Sequence, residues 1–187
     1  MKVTAIVHTR NSERYLEEVL LRLSAFDEVL VCDMESTDST LDIARRHGCT
    51  VVSFPPVGYV EPARDFAMGK ARFDWVFFVD SDELVTPELA EYIEKFVADP
   101  DGAKALAVPR KNLFLDGWSE STYPDYQVRV LDRRSCTWPP QVHSHPVIKG
   151  RMEKVPSKRL DMALIHKSPS VSEVMERINR YTSLEVE

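Results

Sequence analysis

Three acidic side chains lie at or just after the end of the most apolar segment of the sequence. Side chains at this spacing could bind a metal ion. The segment spans residues 74–80, and Asp82 and Glu83 lie two and three residues beyond its last residue, Asp80. Carboxylates at such short range raise each other's pKa, a conflict that a divalent cation resolves. Mg²⁺ and Mn²⁺ prefer carboxylate oxygens and keep positions for water and phosphate oxygens. Asp80 and Asp82 are therefore predicted metal ligands, unless they only end a strand and cap the helix that begins near Thr86.

Polar residues also end two earlier apolar segments. Thr9 and Asn11 follow the segment 3–8, and Asp33 ends the segment 28–33. In an open α/β sheet, ligands bind outside the carboxyl ends of the strands, where the strand order switches. We therefore expect these residues to lie near Asp80 at one ligand site.

The elements that carry these residues alternate between strand and helix patterns in the first half of the sequence. Buried strand patterns occupy residues 3–8, 28–33, 50–54 and 74–80. Helical patterns follow them at residues 16–23, 36–47, 62–71 and 86–97. Repeated strand–helix units predict an α/β protein whose open, mostly parallel, twisted sheet has helices on both faces. The segment 74–80 is predicted to be the central strand.

The second half of the sequence has a different pattern. Strand-like segments at 105–110 and 127–131 enclose a polar, aromatic loop. Residues 136–156 have few periodic positions, which is typical of irregular structure near a site. An amphipathic helix is predicted at 172–186.

The composition limits the class of protein. The 187 residues carry a formal net charge of −6 and 43% of them are hydrophobic, which suits one globular domain. No stretch reaches the roughly 18 apolar residues of a membrane span, and the first residues lack the pattern of a signal peptide. Three scattered cysteines favour a reducing compartment, so we expect a cytoplasmic protein. The acidic charge argues against nucleic acid as a partner.

Three segments together resemble the family-two glycosyltransferases of the GT-A fold. They are residues 31–40, 64–67 and 74–83, and the closest likeness is to small bacterial enzymes that add a hexose to lipopolysaccharide core or related glycans. The resemblance implies inverting, Mn²⁺- or Mg²⁺-dependent transfer of a sugar from a nucleotide-diphosphate donor, with uridine diphosphate as the usual carrier. It implies a glycan, lipopolysaccharide-like or protein acceptor. It also implies one domain, 1–187, with a nucleotide-binding half (1–101) and an acceptor-side half (102–187) that is shorter than in most members.

The resemblance assigns several donor-binding residues. Thr9, Asn11 and Glu13 correspond to the first nucleotide-contacting loop, and Asp33 to the acid that contacts uracil and ribose. Arg64 corresponds to an arginine that faces the nucleotide. The alternatives are that Asp33 caps the following helix and that Arg64 is only a salt-bridge partner. A methionine follows Asp33 where many members have a second acid, which leaves the base of the nucleotide open.

The resemblance also places a general base in the second half, at an aspartate that begins a helix. Asp125, in the sequence Tyr-Pro-Asp, fits this position and is the predicted base, with Glu120 as the second candidate. The alternative is that Asp125 is a helix cap or a salt-bridge partner of Arg129.

Further residues are expected to serve the acceptor and the metal. Trp118 and Tyr123 flank Asp125 and could stack on sugar faces, or belong to the core. Family members frequently use one late histidine as a metal or diphosphate ligand, and the position of His166 after a short strand favours it over His143 and His145. The alternative is that each is a solvated or hydrogen-bonded structural histidine. The second half is rich in Lys and Arg, which suits an anionic acceptor or peripheral contact with the inner face of a membrane.

Two other functions remain open from the sequence. A phosphatase of the haloacid-dehalogenase type also has an aspartate pair after an apolar strand, but on its first strand, whereas two strand–helix units precede Asp80 here. A catalytically silent sugar-binding module with the same fold is the other alternative.

Overall fold

The computed structural model describes residues 1–114, 117–118 and 120–167, so the helix predicted at 172–186 lies outside the described residues. The helices are α1 (Glu13–Arg22), α2 (Thr40–Arg46), α3 (Glu61–Lys70) and α4 (Pro87–Ala98). The longer strands are β1 (Val3–Thr9), β2 (Glu28–Asp33), β3 (Thr50–Ser53), β4 (Trp75–Asp80), β6 (Ala103–Phe114), β8 (Asp125–Asp132) and β11 (Arg151–Lys154). The shorter strands are β5 (Glu83–Val85), β7 (Gly117–Trp118), β9 (Cys136–Thr137), β10 (Val147–Ile148) and β12 (Leu164–His166).

The first four long strands form a parallel sheet, as the sequence predicts. The strand order of the main sheet is β3-β2-β1-β4-β8-β6-β12-β5. The chain therefore crosses from β3 at the edge to the far side of β1, and the order switches between β1 and β4. This switch is where open α/β sheets bind ligands.

The second half makes the sheet mixed. β8 is antiparallel to both β4 and β6, whereas β12 is parallel to β6 and antiparallel to β5. It follows that β6 and β12 end at the same edge as β4, and that β5 and β8 begin there. Every strand that contributes to the site described below thus reaches one edge of the sheet.

Helices cover both faces of the sheet, as predicted. On one face, α1, α2 and α4 contribute apolar residues at helical spacing to a common core, which includes Leu16, Leu20, Ile43, Leu89 and Ile93. On the other face, α3 contributes Ala63, Ala67 and Met68, and Trp138 packs beside them. Because adjacent strand residues point to opposite faces, Phe77 and Phe78 of β4 each fill one of these cores with no exposed surface.

The start of α4 shows that Asp80 and Asp82 do not cap this helix. Its N-cap is Thr86, whose Oγ1 accepts a hydrogen bond from the backbone N–H of Leu89 at 3.3 Å, and Pro87 occupies the first helical turn. Strand β5, which the sequence patterns did not predict, lies between β4 and α4. Among the described residues, no helix is both long and apolar enough to cross a membrane.

Candidate active site

The carboxyl ends of β1, β2 and β4 place the first group of predicted residues side by side. β1 lies between the other two strands, with Thr9 in register with Asp33 and His8 in register with Asp80. The loop after β1 also touches the loop after β4, because Ser12 Oγ donates to Ser81 Oγ at 3.0 Å. The predicted residues therefore lie together at one edge of the sheet.

Asp33 is almost fully buried and accepts three hydrogen bonds. Thr9 Oγ1 and Ser36 Oγ donate to its Oδ1 at 2.8 and 2.6 Å, and the backbone N–H of Ser36 donates to its Oδ2 at 2.9 Å. Helix α2 begins later, at Thr40, so Asp33 organises the turn before the helix and does not cap it. Thr9 and Asp33 form one polar unit at the strand ends.

Asn11 and Glu13 join the loop after β1 to the loop after β2. Asn11 Oδ1 accepts the N–H of Thr37 at 2.8 Å, and its own N–H donates to Ser36 Oγ at 2.9 Å. Glu13 Oε2 accepts the N–H of Ser39 at 3.0 Å. Asn11 has a positive φ of 50°, a conformation that asparagine tolerates better than most residues. The two side chains thus hold the shape of the predicted nucleotide loop.

The acidic cluster after β4 is neutralised by arginines, which corrects the expectation that only a cation could resolve its repulsion. Glu83 is fully buried, and its Oε1 accepts from Arg110 at 3.1 Å and Arg129 at 2.7 Å. Arg129 also binds Asp80 Oδ2 at 2.5 Å, and Arg64 binds Asp80 Oδ1 at 3.2 Å. Burial alone would raise the pKa of Asp80, but Arg129 and Arg64 outweigh it and hold that pKa well below its ordinary value.

A β-bulge directs Arg129 into this cluster. Leu106 pairs with Val130 and Ala107 with Val128, so Arg129 is the extra residue of β8 at this point of the ladder. Bulges change the direction of a side chain relative to the regular pleat. Here the bulged residue supplies the buried guanidinium that two carboxylates share.

Arg64 is buried and is a salt-bridge partner of Asp80, as its alternative interpretation proposed. Its guanidinium also stacks on two aromatic rings, 4.6 Å from the Trp138 centroid and 5.5 Å from the Phe78 centroid. It borders a cavity of about 250 Å³ beside Asp80 that is also lined by Arg110, Gln127, His143 and His145. From this position beside the cavity, Arg64 can also contact a ligand.

Asp82 and His166 lie together outside the arginine cluster. His166 Nε2 is 3.4 Å from Asp82 Oδ2, and His166 Nδ1 is 2.9 Å from Asn112 Oδ1. The described residues contain no group of three or more His, Cys, Asp or Glu side chains close enough to hold a metal ion. The carboxylate nevertheless suits Mn²⁺ or Mg²⁺, and the imidazole suits Mn²⁺ better than Mg²⁺. Both ions commonly take few protein ligands and complete their coordination with water and substrate phosphates. Asp80, by contrast, has both oxygens engaged by arginines.

Asp125 begins strand β8, which corrects the expectation that it begins a helix. Its Oδ2 accepts from Arg110 Nε and Nη2 at 2.9 and 2.8 Å and from Asn112 Nδ2 at 3.0 Å, and its Oδ1 accepts from Gln127 Nε2 at 2.8 Å. Its salt-bridge partner is thus Arg110, which is its register partner on β6, and not Arg129. Burial raises the pKa of Asp125, but these hydrogen bonds outweigh burial and lower it.

The predicted acceptor residues form an aromatic pair. Trp118 and Tyr123 meet edge to face with their centroids 5.8 Å apart, and Lys111 Nζ lies 5.0 Å from the Trp118 ring. Tyr123 donates its hydroxyl to the carbonyl of Ser157 at 2.9 Å. Glu120, the second candidate base, is exposed on a short 3₁₀ helix between them.

Several arginines of the basic second half have acidic partners. Arg133 and Arg134 pair with Asp74, Arg151 with Asp101 and Arg159 with Asp161. These pairs are partly exposed, so they account for part of the basic composition by ordinary surface ion pairing.

The sequence alone did not identify Arg110, Asn112 and Gln127 as parts of the site. Arg110 and Asn112 occupy alternate positions at the end of β6, and Gln127 lies two residues after Asp125 on β8. The signal that could have revealed them is the polar sequence Arg-Lys-Asn at the end of a strand-like segment. This sequence signal can be interpreted only once β6 is known to end at the same edge of the sheet as β4.

Comparisons with known proteins agree with this geometry. The family model described as glycosyl transferase family 2 matches residues 4–149. A protein of Rickettsia bellii described as an uncharacterized glycosyltransferase is 35% identical over 115 residues, which are 61% of this chain and 39% of the relative. The poly(ribitol-phosphate) beta-N-acetylglucosaminyltransferase TarS of Staphylococcus aureus is 31% identical over 147 residues, covering 72% of this chain and 26% of TarS. The chain thus spans about two fifths or less of the length of these relatives.

Solved structures show the same fold. A crystal structure of S. aureus TarS residues 1–349 superposes with a TM-score of 0.69 at 22% identity, covering 90% of this chain and 61% of that one. The mannosyltransferase PcManGT of Pyrobaculum calidifontis, in complex with GDP-Man and Mn²⁺, gives a TM-score of 0.68 at 20% identity, covering 96% of this chain and 60% of that one. The sheet with its switch between β1 and β4 is therefore the GT-A arrangement, and the chain belongs to glycosyl transferase family 2.

Proposed function

We propose that this chain is the catalytic domain of an inverting, metal-dependent glycosyltransferase that moves a sugar from a nucleotide-diphosphate donor to a glycan or lipid-linked acceptor. The observation that carries the proposal is the convergence of Asp33, Asp82, His166 and Asp125 at one sheet edge, at the ends of four different strands or their loops. Family membership and the UDP, UDP-GlcNAc and GDP-Man complexes of similar structures support it.

The nucleoside half of the donor is proposed to bind over Thr9, Asn11, Glu13 and Asp33. Asp33 is positioned by Thr9 and Ser36, and the two loops around it are joined by Asn11 and Glu13. A carboxylate held in this way accepts hydrogen bonds from a base or a ribose without first reorganising. Uridine diphosphate is the carrier we propose, in line with the UDP complex of TarS residues 1–349.

The diphosphate is proposed to lie between Arg64 and the pair Asp82–His166. In this arrangement Asp82 and His166 would hold Mn²⁺ or Mg²⁺, which would neutralise the charge that develops on the leaving diphosphate. Asp80 is held rigidly by Arg129 and Arg64. We propose that Asp80 faces the ribose or the transferred sugar while Asp82 supplies the direct carboxylate ligand.

Asp125 is proposed as the general base. Hydrogen bonds lower the pKa of Asp125, so the carboxylate is ionised at neutral pH and can accept a proton, although the same lowering reduces its basicity. Its Oδ2 is saturated by Arg110 and Asn112, whereas its Oδ1 accepts one hydrogen bond from Gln127. The side chain is partly exposed, so Oδ1 can take the proton of an acceptor hydroxyl while Oδ2 fixes the orientation of the carboxylate.

The acceptor is proposed to approach past Trp118 and Tyr123. The edge-to-face pair presents flat apolar surface next to Asp125, which is how proteins commonly contact sugar rings. A lipopolysaccharide-like glycan is the acceptor class we propose, with transfer at the inner face of a membrane to which the basic second half would bind peripherally.

The phosphatase alternative is disfavoured by the environment of Asp80. Both of its oxygens bind arginines and its pKa is held low, which weakens a carboxylate nucleophile.

A donor-turnover experiment distinguishes an enzyme from a catalytically silent module. Hydrolysis or transfer from a panel of UDP- and GDP-linked sugars, each with and without Mn²⁺, tests the proposal. Metal-dependent turnover of one donor supports it, and nucleotide binding without turnover of any donor would favour the silent module.

A further inference from the structure

A row of hydrogen-bonding side chains joins the proposed metal ligands to the proposed base. His166 Nε2 faces Asp82 at 3.4 Å, His166 Nδ1 contacts Asn112 Oδ1 at 2.9 Å, and Asn112 Nδ2 donates to Asp125 at 3.0 Å. Asn112 is the one member of this row that touches both His166 and Asp125.

The strand ladder creates this row. Asn112 of β6 is in register with His166 of β12, and Arg110 of β6 is in register with Asp125 of β8. Residues 110 and 112 of one strand point to the same face, so Asn112 stands between its two partners. The contact is therefore fixed by backbone pairing on both sides of β6.

The amide of Asn112 can have only one orientation. An ionised Asp125 accepts hydrogen bonds and cannot donate them, so the NH₂ group of Asn112 must face it. The carbonyl Oδ1 then faces His166, and Nδ1 of the imidazole must carry the proton that Oδ1 accepts. When the ring is neutral, Nε2 carries the lone pair and lies 3.4 Å from Asp82 Oδ2. A bound cation can join these two atoms, as a second ring proton does when the imidazole is charged.

We propose that Asn112 is a positioning residue that sets the tautomer of His166 for metal binding and orients Asp125 for proton transfer. The proposal rests on the proposed function for the roles of His166 and Asp125. Partners that donate to or accept from a metal-binding histidine typically change metal affinity by 10- to 100-fold when they are removed. Asn112 would do this while also holding the base, so one side chain serves both halves of the reaction.

The test compares Asn112→Leu with Gln127→Leu. Asn112→Leu removes both contacts at similar volume, whereas Gln127→Leu removes a hydrogen bond to Asp125 without touching His166. The first readout is the ¹⁵N NMR signature of the His166 ring in metal-free, donor-free protein, assigned with His166→Gln. The second is Mn²⁺ affinity in the presence of UDP, and melting temperatures show that each variant is folded.

We expect wild type and Gln127→Leu to show the Nδ1–H tautomer of His166, and Asn112→Leu to lose it. Mn²⁺ affinity should fall about 10-fold or more in Asn112→Leu and stay near wild type in Gln127→Leu. A folded Asn112→Leu protein with an unchanged His166 tautomer and unchanged Mn²⁺ affinity would overturn the proposal. Because the NMR readout needs neither metal nor donor, it decides the role of Asn112 even if no donor sugar is turned over.

Discussion

Arg129 binds Asp80 and Glu83 with the same nitrogen, its Nη2 lying 2.5 Å from Asp80 Oδ2 and 2.7 Å from Glu83 Oε1. Both Arg129 and Glu83 are buried, and Arg110 and Arg64 complete the cluster. Together with Asp125, three carboxylates meet three guanidiniums, so the formal charges of the cluster balance. This cluster supports the floor of the proposed donor site.

Arg129→Met should destabilise the protein strongly. The substitution leaves Glu83 buried with one fewer charged partner, and breaking a buried pair in this way costs about 3–5 kcal/mol. Chemical denaturation measures the free energy of unfolding. The matched control is Arg151→Met, which removes a partly exposed pair with Asp101 and should cost less than about 1 kcal/mol. Equal losses in the two variants would contradict the structural role of Arg129.

His8 should make the protein less stable as the pH falls. Its ring is buried and stacked on Phe78 at 5.7 Å, and burial together with the nearby Arg64 lowers the pKa of His8 from 6.5 to about 3. His8 therefore binds a proton below about pH 6.5 in the unfolded chain, but only below about pH 3 in the folded protein. The stability contributed by neutral His8 is present above pH 6.5 and is lost as the pH falls, at up to about 1.4 kcal/mol per pH unit.

The variant His8→Leu should reduce this pH dependence. Unfolding free energies measured from pH 7 to pH 4.5 should fall less steeply in His8→Leu than in wild type. His47→Leu is the control, because His47 lies near the surface and bonds Glu17 at 3.2 Å. Equal losses of stability in His8→Leu and wild type over this range would contradict the assignment of His8 as a buried neutral group.

Asp33→Ala should weaken nucleotide binding even without metal. The side chain is the acceptor around which Thr9 and Ser36 are arranged, and we place it on the nucleoside. Calorimetry with UDP in the presence of a chelator should show at least about a tenfold loss, the size expected for one charged hydrogen bond. The control is Asp42→Ala, which removes an exposed carboxylate that pairs with Arg45 on α2 and should bind near wild type. Unchanged affinity in Asp33→Ala would leave Asp33 as a turn residue only.

Asp125→Asn should separate chemistry from binding. Loss of a general base lowers the rate by about 10²- to 10⁴-fold, and the donor does not need this group to bind. Single-turnover transfer and donor affinity are measured on the same variant, with its melting temperature as the check on folding. A transfer rate near wild type would move the base to Glu120 or to another residue, and Glu120→Gln is the variant to compare.

The local sequence predicted the parts of the fold that depend on periodicity. The strands that end at Thr9, Asp33 and Asp80, and the helix that begins after Thr86, follow from runs of apolar residues and from capping chemistry. The likeness to a known family then supplied the arrangement of these units. The nucleotide-side residues were found because each one ends a buried strand.

The rest of the site depends on pairing between distant strands. Asn112 meets His166 through the β6–β12 ladder, and Arg129 reaches Glu83 through a bulge in β8, neither of which leaves a local pattern. The family likeness places Asp125 at a helix start. The polar residues Asp125, Gln127 and Arg129 occupy alternate positions, and this alternation is the strand signal that points to β8 instead.

Asp82 and His166 are proposed to hold a metal ion that binds a nucleotide diphosphate. The most direct measurement is the affinity for UDP with and without Mn²⁺, by calorimetry, in wild type and in Asp82→Ala. Asp82 lies beyond the end of β4 and its side chain is partly exposed, so its removal should leave the melting temperature nearly unchanged. We expect Mn²⁺ to strengthen UDP binding in wild type and to have little effect in Asp82→Ala. An equal Mn²⁺ effect in the two proteins would contradict the assignment of the metal site.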